Sequence, residues 1–135
     1  MKTLLYAFVF ASLIFFIIDF IWLSIAVKAF YKPHIGSLLN DKPVIWAAIV
    51  FYLVYSIGLT LLVLKPGLVS ESLFQVFLNG VIFGIVTYGT YNLTNMATIK
   101  DWSINVVVVD MIWGGLLTGF SSFVSIALVK NFFTS

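Results

Sequence analysis

Four long apolar runs, separated by short polar joints, leave this 135-residue chain little to fold into except a bundle of membrane-crossing helices. About 20 apolar residues suffice for a helix to cross the hydrocarbon core. In lipid the segment must also satisfy its own backbone hydrogen bonds, which a helix does. The runs that qualify are residues 4–27, 44–64, 74–97 and 104–129. The expected fold is therefore all-α, an integral membrane four-helix bundle, with residues 1–135 forming a single transmembrane domain. Composition agrees, with 62% hydrophobic and 9% charged residues and a mean hydropathy of +1.15. A soluble domain of this size could not bury so much apolar surface. A net charge of +2, scattered along the chain, gives no nucleic-acid footprint. The absence of cysteine removes disulfides, thiolate metal sites and thiol nucleophiles.

The joints carry their own signals. Lys65-Pro66-Gly67 reads as a turn, and Ser72 with Gln75 forms a capping-box pattern at the start of the third helix. The stretch from Thr98 to Ser103 is short enough to make the last two helices a tight antiparallel hairpin. Lys2 before an apolar run has the look of a signal peptide. The run nevertheless continues past Asp19 to Trp22, well beyond an h-region of about 7–15 residues, so it reads as a helix.

Asp19 and Asp110 stand inside apolar runs, each followed three residues later by a tryptophan, Trp22 and Trp113. A carboxylate near the middle of a membrane helix costs roughly 2.5–3.5 kcal/mol on insertion scales. A purely structural hydrogen bond across such a bundle returns only about 0.6 kcal/mol on average. Function is the better reading. With four crossings both termini share one face, side A, and the first and third joints share the other, side B. Asp19 lies roughly 12 Å and Asp110 roughly 9 Å from the side-B ends of their helices. Tyr52 and Tyr55 come to comparable depth, as does the polar stretch holding Tyr88, Tyr91, Asn92 and Asn95. These residues, with Trp22 and Trp113, form the expected binding pocket.

The A half has the opposite character. Gly80 and Gly84, and Gly115 and Gly119, make G-x-x-x-G faces on the third and fourth helices, with Ala7, Ala11 and Gly58 at similar depth. Small residues let helix backbones approach closely in lipid. The bundle should close on side A, the third and fourth helices touching most closely at Gly84 and Gly119, and splay on side B. Trp46, Trp102 and Tyr31 read as interfacial anchors, and His34 as a solvated residue of an apolar first loop. The Asn92-Leu93-Thr94 sequon lies at the membrane boundary and reads as coincidence. One histidine and two separated aspartates match no metal pattern, so no metal and no cofactor are expected. Lys2, Lys65 and Lys130 fall on side A and Lys28, Lys32, Lys42 and Lys100 on side B. That near-balance leaves orientation weakly determined.

Asp19-x-x-Trp22-Leu23, Tyr31-x-x-x-Ile35-Gly36, Phe51-Tyr52-x-x-Tyr55, the stretch Tyr88 to Asn95 and Asp110-x-x-Trp113-Gly114 together resemble a family of small bacterial four-helix membrane proteins. That family is known only as a domain of unknown function. The resemblance covers nearly the whole chain and implies a multi-pass protein of the bacterial inner membrane, with no activity to carry over.

The residues favour a binding or transport protein whose carboxylates hold a proton, a cation or a small cationic solute. No arginine is present, and anion sites usually rely on its guanidinium fork. A homodimer is expected, since four helices make a thin-walled path. The alternative is a membrane-embedded enzyme or binding protein acting on a lipid or isoprenoid, with the carboxylates as acid and base. No nucleophile or cofactor motif supports an enzyme. A third reading is an accessory membrane subunit.

Overall fold

The computed structural model describes residues 1–70 and 72–133. Four helices, each long and apolar enough to cross a membrane, make up most of it: α1 (Lys2–Leu38), α2 (Ile45–Val69), α3 (Leu73–Thr98) and α4 (Ile104–Phe132). No strand occurs among the described residues.

Two helices run further than their apolar pattern suggests, and for one shared reason. α1 continues past Val27 through Lys32-Pro33, and α2 continues past Leu64 through Lys65-Pro66. A proline inside a helix lacks an N–H, and its ring collides with the carbonyl four residues back. Each Lys-Pro pair here directly follows a π-helical turn, Val27–Tyr31 in α1 and Thr60–Leu64 in α2. The Lys32 N–H bonds to the Val27 carbonyl and the Lys65 N–H to the Thr60 carbonyl, five residues back instead of four. The widened turn makes room for the ring. The expected turn at Lys65-Pro66-Gly67 and the expected loop around His34 are therefore both helical.

The other helix starts follow ordinary capping. The Gln75 N–H donates to Ser72 Oγ at 3.2 Å, and the Val106 N–H donates to Ser103 Oγ at 3.4 Å. Gln75 turns its own side chain forward to Asn79, so the capping box is only half made. Between α3 and α4, Asp101 takes a positive φ of 62° that reverses the chain.

Packing then divides the bundle into two unlike halves. Toward side A, α3 and α4 lie almost backbone to backbone. A Cβ on Gly80 would sit 2.8 Å from the Gly119 Cα, and one on Gly84 would sit 2.8 Å from the Gly115 Cα and overlap the Gly114 carbonyl. The antiparallel register thus pairs Gly80 with Gly119 and Gly84 with Gly115, one turn away from the expected meeting of Gly84 with Gly119. α1 joins through Ala7 and Ala11, both fully buried, and the Ser125 hydroxyl donates to the Ala7 carbonyl at 2.7 Å. Leu59, Val63, Leu64, Val76, Ile126 and Val129 fill what remains. Gly58 belongs to no such contact, since a Cβ there would meet only the Phe83 ring at 3.5 Å.

Toward side B the first half of α2 runs along α1 but stands off α3. It reaches across with the Tyr55 ring, which packs edge-on against Phe83 and Tyr88. The bundle is closed at one end and parted at the other.

Candidate functional site

The parted half is organised by the two aspartates. Asp19 of α1 is 6% exposed, and each of its carboxylate oxygens takes one donor from another helix. The Tyr52 hydroxyl of α2 donates to Oδ2 at 2.6 Å, and the Trp113 Nε1 of α4 donates to Oδ1 at 3.1 Å. Asp110 of α4 is served in the same way. The Tyr31 hydroxyl of α1 donates to its Oδ1 at 2.7 Å, and Asn92 Nδ2 of α3 donates to its Oδ2 at 2.6 Å. All four helices therefore meet at two carboxylates. None of the four donors is charged.

The repeated Asp-x-x-Trp spacing explains a crosswise pattern. A separation of three residues puts each indole on its aspartate's face of the helix, so both indoles meet at the two carboxylate sites although their hydrogen-bond partners differ. Trp113 of α4 binds the aspartate of α1. Trp22 of α1 donates from Nε1 to the Tyr31 hydroxyl at 3.3 Å, and that hydroxyl holds the aspartate of α4. The two indoles stack on each other, centroids 4.4 Å apart and planes within 16°.

A chamber of about 360 Å³ opens beside this pair. Asp19 and Asp110 line it together with the rings of Trp22, Tyr31, Phe51, Tyr55, Tyr88 and Tyr91, and with Leu23 and Thr87. No lysine lines it. Of the residues expected in a pocket, Asp19, Trp22, Tyr55, Tyr88, Tyr91 and Asp110 form its wall. Tyr52, Asn92 and Trp113 grip the carboxylates without lining the chamber, and Asn95 does not line it either. Tyr55 is itself anchored, its hydroxyl sharing a 2.6 Å hydrogen bond with Thr118 and accepting one from Thr87 at 3.3 Å. The Tyr88 ring lies flat against Gly114, where any side chain would overlap it. Asn92 is fully buried against Asp110, which puts the sequon beyond use.

Two further cavities adjoin the chamber. One of about 230 Å³ shares Leu23, Tyr31, Tyr91 and Asp110 and extends along Ile35, Leu39 and Trp102 toward side B. The other, about 610 Å³, shares Phe51, Tyr55 and Thr87 and lies between α2 and α3.

Three residues differ from their sequence reading. Tyr31 is 8% exposed and bonded to Asp110, and so is no interfacial anchor. Trp102 is 9% exposed and packs against the α1 extension with Tyr31 and Ile35, whereas Trp46, at 71%, does sit outside as an anchor would. His34 sits on helix and not in a loop, its ring bonded to the Phe30 carbonyl at 2.8 Å and otherwise exposed. The missed signal for Tyr31 was the Lys32-Pro33 pair that follows it. Among the described residues no three His, Cys, Asp or Glu side chains gather as a metal would require.

The model of a family described as predicted membrane protein (DUF2177) matches residues 4–127. The chain belongs to that family. The match takes in most of each of the four helices and every residue that hydrogen-bonds to the carboxylates. No curated protein and no solved structure matches this DUF2177 member. Its chamber must therefore be interpreted from its own geometry.

Proposed function

We propose that the chamber binds a small cationic solute, and that the protein carries this solute, or a proton, through the membrane. One observation carries the reading. Two carboxylates and six aromatic rings line a space that no basic side chain enters. Carboxylates attract a cation by charge, most strongly where water is scarce. Aromatic faces add cation–π attraction, about 2 kcal/mol or more when desolvated. The neutral donors position the carboxylates and leave their charge unopposed, which would be a poor design for holding an anion or a phosphate. The side-B cavity offers a way in from water. A homodimer in a bacterial inner membrane is part of the same proposal, the membrane resting on the sequence resemblance and the dimer on the thin wall beside α2.

Tetramethylammonium is a suitable probe, because it tests charge and ring packing without hydrogen bonding. Titrated calorimetrically into the purified protein in lipid nanodiscs, it should bind wild type. Asp19→Asn and Asp110→Asn should each weaken binding at least tenfold while keeping the helical content. Equal binding by wild type and both variants, or no binding by wild type, would count against the proposal.

A further inference from the structure

We infer that the solute is a single-tailed cationic amphiphile, an alkylamine or alkyl quaternary ammonium, that enters sideways from the bilayer between α2 and α3. This rests on the cation site proposed above and identifies what occupies it. The cavity between α2 and α3, about 610 Å³, meets the carboxylate-lined chamber at Phe51, Tyr55 and Thr87. Away from that junction its lining is apolar, including Val50, Val54, Gly58, Leu62 and Phe83. Val50, Val54 and Leu62 are 48%, 65% and 67% exposed, on a helix long and apolar enough to cross the bilayer, so the crevice faces acyl chains.

The opening follows from the fold. The first half of α2 rests on α1 and stands off α3, while the A half of α3 is held against α4 by its glycines. Gly58 supplies no side chain to fill the gap, its nearest neighbour being the Phe83 ring. A compact cation would fill the chamber alone and leave this apolar volume to lipid. A molecule with a charged head and an apolar tail fits both, with its head between Asp19 and Asp110 and its tail in the crevice. Chemistry narrows the head. A zwitterionic phospholipid would bring a phosphate toward two carboxylates with no lysine in the chamber to receive it, at the cost of like-charge repulsion. A tail gains little by moving from lipid to an apolar crevice. Affinity must then come from the head and location from the crevice, and that division makes the idea testable.

The experiment uses the full chain in nanodiscs and a dodecyltrimethylammonium probe carrying a diazirine midway along the alkyl chain. After photolysis the labelled residues are mapped by peptide mass spectrometry. Label should concentrate on the α2 and α3 residues around Val54, Gly58 and Phe83. Excess tetramethylammonium should displace most of it, and Asp19→Asn and Asp110→Asn should remove it. Label spread evenly over lipid-facing positions such as Phe16 and Phe20, in protein that still binds tetramethylammonium, would overturn lateral entry and leave the cation site standing. Crevice label that tetramethylammonium cannot displace would also overturn it, since the tail would then bind without the head. Absence of tetramethylammonium binding to wild type would remove the cation site and this inference with it.

Discussion

Asp110 depends on a side chain that arrives from an unexpected place. Tyr31 donates to one of its oxygens and accepts from Trp22, so a single hydroxyl joins the α1 tryptophan to the α4 aspartate. Removing that hydroxyl leaves the Asp110 Oδ1 and the Trp22 indole without these partners while preserving the ring and its packing against Ile35 and Trp102. Hydrogen bonds to charged groups contribute about 1.5–3 kcal/mol in water-soluble proteins, and interhelical ones in membranes average nearer 0.6 kcal/mol. Tyr31→Phe should therefore lower thermal stability by no more than about 1–2 kcal/mol. It should weaken tetramethylammonium binding several-fold, because the carboxylate loses the group that positions it. Phe at Tyr6, which lies against Phe10 and Phe133 far from the chamber, is the control and should change neither. Equal behaviour of the two variants in calorimetry and thermal melts would show that Tyr31 does not organise Asp110.

The decisive elements are the two π-helical turns. A π turn accommodates one extra residue, and each residue of an α-helix accounts for about 100° of rotation. The turn at Val27–Tyr31 thereby sets which face of α1 the extension presents to α4. Pro33 sits where a regular helix would clash, which gives the wide turn its reason to persist. With Pro33→Ala the clash disappears, and α1 can tighten to a regular helix, swinging Tyr31 about 100° away from Asp110. Binding should then fall as far as in Tyr31→Phe, with helical content by circular dichroism unchanged or raised. Wild-type binding by Pro33→Ala would mean that packing against Trp102 and Val106, and not the proline, holds the turn.

For the molecule as a whole, the distribution of lysines bears on which way it lies in the membrane. Lys2, Lys65 and Lys130 on one face oppose Lys28, Lys32, Lys42 and Lys100 on the other, and such a balance gives the positive-inside rule little to act on. Moving two lysines from one side to the other should fix or reverse the orientation. Accessibility labelling of single cysteines placed at Lys28 and Lys65 reads this directly, since the sequence has no cysteine of its own. A single orientation that survives the exchange would show that topology is determined elsewhere.

Hydropathy alone determined the class. Apolar runs of bilayer length admit few structures besides helices, so the count, the approximate bounds and the short last hairpin could be read directly. The aspartates stood out for the same reason, because a charge in lipid is costly wherever it lies. Glycine spacing indicated where α3 and α4 would close but not their register, which shifted by a turn because G-x-x-x-G marks a face and not a partner. The chamber itself was a tertiary decision. Tyr31 and Trp102 look like boundary aromatics in one dimension. They turn inward because a π turn before Pro33 carries α1 onward against the start of α4. The pairing of Trp113 with Asp19, and of Tyr31 and Asn92 with Asp110, joins residues 94, 79 and 18 positions apart. Hydropathy is a local property of each segment, whereas hydrogen bonds in a membrane interior are satisfied by whichever helix happens to pack alongside.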